Sequence, residues 1–343
     1  MSVIYGNPII AGGGGLELVA NVADGATVTA TLGSKTVTGV SANGQARLKI
    51  PNEGEWSVYA VKEAFTSPTK TIRVPATVTL DLVGETLNET LWSSIKAVSE
   101  ASLGANYWAI GDCKEVTMNG KVSDGLTLTN YSAWVYIIGF DHNSEKEGTG
   151  IAFQGFKTAQ ADGTDICLVD SEYGKLSSNL SGVYFCMNTS DKNRGGWGSC
   201  KMRSNTMPLI KSAFPSELQS VIKTSTIYTD NTGGNAGNVT PTATEDEIFL
   251  LAEYEIHGSN SGSGGTTEEA NYLKQYAYYS SGNSKVKYKY NSLSDAAIWW
   301  TRSPYKGGTS QFLYVTSSGG KGNGSNMTSR ASFDYGVAPA FKV

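Results

Sequence analysis

The residues able to do chemistry in this chain are few. Its two histidines are His142, in the run Asp141-His142-Asn143, and His257, just before Gly258. An Asp-His-Asn triplet can ligate a metal or move a proton. Here it follows the apolar run Ile137-Ile138-Gly139-Phe140, and short polar side chains at the end of a strand more often hydrogen-bond the local backbone. His257 reads the same way. A Ser-His-Asp triad would need one of these histidines beside a poised serine, and the chain has no G-x-S-x-G elbow. Asp112, Glu115, Asp165, Asp170 and Asp246 are candidates for a hydrolase carboxylate pair, but the separation that governs glycoside hydrolysis is spatial, so their spacing decides nothing. Cys113, Cys167, Cys186 and Cys200 form no C-x-x-C pair, which leaves zinc ligation little support. Buried free thiols, as in a protein folded in a reducing compartment, are the expectation. No catalytic residue, metal or cofactor is expected, and the chain does not read as an enzyme.

A different chemistry is legible in residues 305–335, YKGGTSQFLYVTSSGGKGNGSNMTSRASFDY. This composition suits a solvated loop. It is also that of binding loops, in which Tyr supplies rigid aromatic area and Ser, Gly and Asn supply adaptable polar contacts. The candidate ligand contacts are Tyr305, Gln311, Leu313, Tyr314, Thr316, Lys321, Asn323, Ser325, Asn326, Thr328 and Arg330. Two apolar blocks bracket the segment, with Trp299, Trp300, Arg302 and Pro304 before it and Gly336, Pro339 and Phe341 after it. These are the candidate structural frame. Adjacent tryptophans on a strand point to opposite faces, so one can enter the core while the other supports a surface. An arginine in such a block suits several hydrogen bonds to buried backbone or to a carboxylate.

The composition of the whole chain agrees with that emphasis. Charged residues make up 17% of the 343, below the roughly 25% usual in soluble proteins, and there are 40 glycines. Such a balance favours strands, turns and recognition by hydrogen bonds. The net charge is −4 with no basic run, so nucleic acid is not an expected partner. No stretch of 18 apolar residues is present, and none is expected to span a membrane. The opening MSVIYGNPIIAGGGG has neither a basic n-region nor a continuous apolar h-region, so it does not read as a signal peptide.

The elements that must position these residues fall into two regions. Residues 1–16 read as a flexible or partner-docking arm. From 17 to 83 come short alternating runs, LELVANV, ATVTATLG, KTVTGVS, QARLKIP, EWSVYAV and KTIRVPATVTLDLV, separated by turn signals such as Asp24-Gly25 and Asn43-Gly44. This predicts a small β-sandwich of immunoglobulin or transthyretin-like type, with Trp56 and Tyr59 in its core, acting as a spacer or attachment module. Residues 84–105 form a linker helix with Leu87, Leu91, Ile95 and Val98 on one stripe. Residues 106–343 mix strands (EVTMNG, WVYIIGF, GIAFQGF, EIFLLAEYEI, FLYVTS), helices in FPSELQSVIKTST and EEANYLKQYAYY, and the long loops 229–244 and 258–267. The order points to an α+β class. Loops of that length are functional or disordered.

Several motifs carry a resemblance. NYWAIGD (106–112), EVTMNG, YIIGFDHN (136–143), FPSELQSVIK, EIFLLAEYEIHG (247–258) and YLKQYAYY resemble a domain common in prophage tail proteins of gut bacteria. The ending WWTRSPYKGG (299–308), FLYV and GVAPAF (336–341) is similar to that of the C-type-lectin-fold variable proteins of diversity-generating retroelements, a group that includes phage receptor-binding tail proteins. The resemblance covers about 106–343. Thr301 stands where relatives often have Leu, and Ala338 where they often have Arg. It implies a C-type-lectin-like domain that binds a bacterial surface carbohydrate or protein, with the diversified positions lying between the two blocks. It further implies a virion-tail location, attachment to tail or baseplate proteins through the N-terminal region, and a homo-oligomer, a trimer by analogy. A bacterial surface adhesin of the same fold and a carbohydrate-active hydrolase are the rival expectations. The Glu-Pro-Asn and Trp-Asn-Asp signatures of calcium-dependent sugar sites are absent from the sequence.

Overall fold

The computed structural model describes residues 16–63, 65–160, 163–176, 182–236, 239–260, 270–322 and 330–343. The chain divides into two compact units, Met1–Glu85 with Glu89–Ser94, and Thr86–Asn88 with Ile95–Val343. Residues 1–15 of the expected arm lie outside the described residues. Its last residue, Leu16, belongs instead to the first strand, where it pairs with Ile50.

Among the described residues the first unit is built mainly of eight strands: β1 (Leu16–Asn21), β2 (Thr27–Leu32), β3 (Lys35–Val40), β4 (Gln45–Ile50), β5 (Gly54–Lys62), β6 (Phe65–Thr66), β7 (Lys70–Val74) and β8 (Ala76–Thr79). One sheet runs β4-β1-β8, and the other runs β3-β2-β5-β6 with β7 also on β5. Alternation decides which side chains meet, because successive residues of a strand face opposite ways. Leu18, Ala20, Leu48, Ile50 and Val78 from one sheet and Val28, Ala30, Trp56, Val58 and Ala60 from the other form a single core. Tyr59 does not join it. It lies at odd spacing from Trp56 on β5, so it points the other way and is only half-buried. Pro75 divides the long run 70–83 into β7 and β8, as a residue without an amide donor must.

The second unit is mixed helix and sheet, with strands predominating. Ile95 and Val98 of the helix Trp92–Glu100 are fully buried, whereas Leu91, expected on the same stripe, precedes the first turn and is 67% exposed. The central sheet is built from β9 (Cys113–Ser123), β10 (Leu126–Phe140) and β11 (Ile151–Lys157). Further strands follow: β12 (Ile166–Cys167), β13 (Ser225–Thr229), β14 (Thr242–Asp246), β15 (Ile248–Phe249), β16 (Lys287–Lys289), β17 (Ser292–Ala297), β18 (Trp299–Pro304), β19 (Phe312–Val315), β20 (Lys321–Gly322) and β21 (Ala340–Lys342). The central sheet has the order β15-β21-β11-β10-β9. The last strand therefore lies inside it, Phe341 pairing with Phe153 on one side and Ile248 on the other. A smaller sheet, β18-β19-β20, carries the segment of interest.

Several expected elements differ. The linker helix expected over 84–105 spans only Trp92–Glu100, and the helix expected over EEANYLKQYAYY is broken at 273–276 and resumes at Ala277–Ser280. The strand EIFLLAEYEI stops at Phe249 and becomes a helix at Glu253–His257. The Glu255 carboxylate accepts the Ala252 N–H at 2.9 Å, capping the helix, and Gly258 ends it at φ 66°. The helix expected across FPSELQSVIKTST covers only Ser216–Gln219, and its last residues enter β13. The pattern there was too short to separate a single helical turn from a helix.

Candidate functional site

The frame is built around a buried arginine. Arg302 is fully buried on β18 and donates to both Glu255 oxygens at 2.6 Å, to Leu250 O at 2.7 Å, to Thr229 Oγ1 at 2.6 Å and to Tyr228 O at 3.0 Å. This planar fork ties β13, β18 and the 253–257 helix together. Next to it Lys342, also fully buried, donates to Glu147 at 2.9 Å. His142 completes the group, and its ring stacks on Tyr276 with centroids 3.6 Å apart. One ligand-type atom each from His142, Glu147 and Glu255 lies within 4.8 Å of the others. A cation would find no net negative charge there, because Arg302 and Lys342 already balance the two carboxylates. Burial lowers the His142 pKa to about 3, so the imidazole is neutral. The arrangement is a charge-balanced core network. In the Asp-His-Asn turn, Asp141 accepts the Gly150 N–H at 2.7 Å and Asn143 donates to Tyr272 O at 2.8 Å.

The remaining frame residues are equally internal. Trp299 and Trp300 are both fully buried, since both faces of β18 are covered; their indoles donate to Lys285 O at 3.1 Å and Phe185 O at 2.9 Å. Pro304 pairs with Phe312, Pro339 O accepts the Gly155 N–H at 2.9 Å, and Phe341 stacks on Phe153. At Gly336 a Cβ would collide with the Cys167 sulfur, so glycine is required by close packing.

The frame holds a cluster of polar loops, and the residue that organises it is Asn193, which the sequence reading missed. Asn193 is fully buried. Its Nδ2 donates to Tyr305 O at 3.1 Å, Gly308 O at 3.0 Å and Gln311 O at 2.8 Å, while its Oδ1 accepts the Gly234 N–H at 2.8 Å. Loop 188–196 is thereby joined to 305–311 and to 230–236. The approach is close enough to demand glycine, because at Gly196 (φ 50°) a Cβ would meet Asp230 O and at Gly233 (φ 54°) Asn193 O. The segment after 329 joins the same cluster. Arg330 donates to Asp191 at 3.1 Å, Ser332 Oγ donates to the other Asp191 oxygen, and Gln311 bridges Arg330. The signals available in the sequence were the paired glycines 195–196 and 233–234 beside Asn and Asp, and the length of loop 229–244.

Of the candidate contacts, Tyr305, Gln311 and Arg330 converge on this cluster. Thr316 and Lys321 lie at the other end of β19, where Thr316 Oγ1 accepts the Gly320 N–H at 2.9 Å and Lys321 Nζ donates to Ser259 Oγ at 2.8 Å. Leu313 and Tyr314 are not surface contacts, being 0% and 7% exposed. β19 is the middle strand of its sheet and is covered on both faces, and Tyr314 packs against Trp300 and Tyr335. Asn323, Ser325, Asn326 and Thr328 lie outside the described residues.

The candidate hydrolase carboxylates are dispersed among separate partners. Asp165 pairs with Lys157 at 3.1 Å, Asp246 with Arg203 at 2.6 Å, Asp112 holds the Ala109 N–H at 2.8 Å, and Glu115 accepts the Ser132 hydroxyl. Asp170 instead meets Asp334, both accepting the Phe185 N–H, at 3.0 and 2.9 Å. Burial and the neighbouring Asp170 raise the Asp334 pKa to about 9, so this carboxyl keeps a proton at neutral pH. All four cysteines are buried free thiols. Burial raises Cys113 to about 11 and Cys167 and Cys200 to about 12, far from a reactive thiolate.

Residues 172–343, from the turn after β12 through β21, match a family described as a domain of unknown function, DUF6273. The chain belongs to the DUF6273 family. No curated protein and no solved structure matches it. The DUF6273 match takes in Asn193, Arg302 and every loop of the cluster, so the arrangement around Asn193 belongs to the part of the chain that the family defines.

Proposed function

We propose that this chain is a receptor-binding protein of a phage or prophage tail whose second unit is a C-type-lectin-like domain presenting a polar surface to a bacterial host. The observation that carries the reading is the Asn193 hub, a single buried amide that fixes three polar loops against a rigid apolar frame. Preorganised loops of Tyr, Asn, Gln, Ser and Gly bind with a small ordering cost. The first unit serves as the attachment module to tail or baseplate proteins. Assembly as a homo-oligomer, a trimer by analogy with the resembling proteins, raises modest single-site affinity through effective concentration. A surface adhesin of the same fold would use the same loops. Fluorescently labelled chain mixed with a panel of gut bacteria tests the reading. Adsorption to particular strains that is lost in Tyr305→Ala/Gln311→Ala supports it, and adsorption unchanged by that double substitution counts against it.

A further inference from the structure

The loop cluster is cationic in an acidic chain. Lys192 and Arg194 flank Asn193, Lys306 follows Tyr305, whose carbonyl Asn193 holds, and Arg330 bridges Gln311, whose carbonyl Asn193 also holds. Lys192 and Arg194 are thus chain neighbours of Asn193, while Lys306 and Arg330 are the neighbour and the partner of residues that its side chain holds. Two carboxylates belong to the same loops. Asp230 is 1% exposed and turned inward to the Thr232 and Gly233 amides, and Asp191 is held by Arg330 and Ser332. The side chains of Lys192, Arg194 and Lys306 make no hydrogen bond or ion pair among the described residues. The whole chain carries −4, so this is a local reversal of sign, the kind of field that concentrates an anionic ligand.

Resting on the receptor-binding reading, we infer that the Asn193 loop cluster binds an anionic polysaccharide, one bearing phosphodiesters or carboxylates, through Lys192, Arg194 and Lys306. The surroundings favour a glycan over a protein. Among the described residues the exposed large hydrophobics are Val40, Leu91, Tyr107, Leu176 and Leu293, none of them in these loops, and a protein interface needs an apolar core. Thr232, Asn235, Thr309 and Gln311 belong to the same three-loop cluster, and their hydroxyls and amides suit sugar hydroxyls. A polymer with one anion per repeat engages three free cations without displacing any existing ion pair.

The test measures binding of the full chain to poly(glycerol phosphate) and to polygalacturonate, with dextran as the neutral counterpart and double-stranded DNA as a polyanion of another class. The expected result is salt-sensitive binding to at least one anionic glycan and none to dextran. Lys192→Gln/Arg194→Gln/Lys306→Gln should weaken binding by on the order of tenfold or more at low salt. Lys49→Gln/Arg73→Gln/Lys274→Gln, an equal change of net charge at exposed sites elsewhere, should leave it unaltered. Absence of binding to both anionic glycans, equal binding of dextran, tighter binding of DNA, or equal losses in the two triple variants would overturn the inference. Strain-specific adsorption that the loop triple variant retains would overturn it too while leaving the receptor-binding reading intact. Failure of the wild-type chain to adsorb to any strain would count against that reading itself.

Discussion

Replacing Asn193 is the sharpest probe of how the loops are held. Its amide has two hydrogens shared among three carbonyls at 2.8–3.1 Å, and its oxygen accepts one amide at 2.8 Å. Asn193→Ala therefore removes the equivalent of three hydrogen bonds. At about 1 kcal/mol each for neutral partners, the loss is about 3 kcal/mol, and the backbone groups left unbonded raise rather than lower it. Asn193→Asp is nearly isosteric, yet it turns a carboxylate toward three carbonyl oxygens, so it should destabilise at least as much as alanine. The readouts are urea unfolding and amide hydrogen exchange. Both variants should lose protection at the Gly234 amide and across 305–311, while the amide of Lys223, bonded to Lys342 in the central sheet, is affected far less. A cost below about 1 kcal/mol for alanine, or an aspartate variant as stable as wild type, would refute the hub.

Other outcomes follow from the same geometry. Leu313→Ala should cost about 2–5 kcal/mol because the side chain is fully buried, and thermal unfolding should show it. A surface residue would change Tm little. Arg302→Met removes the cation from its buried pair with Glu255 and should destabilise by about 3–5 kcal/mol, as removing half of a buried pair does. Two opposite pH limbs are expected. His142 is held at about 3, below its ordinary value of 6.5, so the unfolded chain takes up a proton that the fold rejects. Its stabilising contribution is complete above about 6.5 and is lost as the pH falls toward about 3; His142→Phe, which can still stack on Tyr276, should make this acid limb shallower. Asp334 is raised from 3.8 to about 9, so the fold keeps a proton that the unfolded chain releases. Its contribution is complete below about 4 and lost as the pH rises toward about 9. Asp334→Asn, which mimics the protonated acid, should flatten that alkaline limb in denaturant titrations.

The strands were the most legible part of the chain. In β1, β2, β4 and β5 the period-2 pattern is bounded by Asp24-Gly25, Asn43-Gly44 and Glu53-Gly54, and local chemistry alone sets those limits. An aromatic such as Tyr59 invites burial, yet its spacing from Trp56 puts it on the outer face. In the second unit the legible elements were the long strands β9, β10 and β11. The helix at 253–257 was hidden because its cap, Glu255, is fixed by Arg302 from 47 residues away. The polar segment after Pro304 was recognised by composition, yet composition could not tell that Leu313 and Tyr314 lie on the middle strand of a covered sheet. Asn193 was invisible for a related reason. It is one asparagine in a polar loop, and its role comes from bonds to residues 112, 115 and 118 positions away.

The measurement that bears most directly on the account is hydrogen exchange of the chain bound to the cell-surface polymer of a strain that it adsorbs to. Binding at the loop cluster predicts slowed exchange in 188–196, 230–236 and 305–311, with little change in the first unit. Slowed exchange confined to another face, such as the cavity of about 420 Å³ lined by Arg203, Lys211 and Glu247, with none in those three loops, would contradict it.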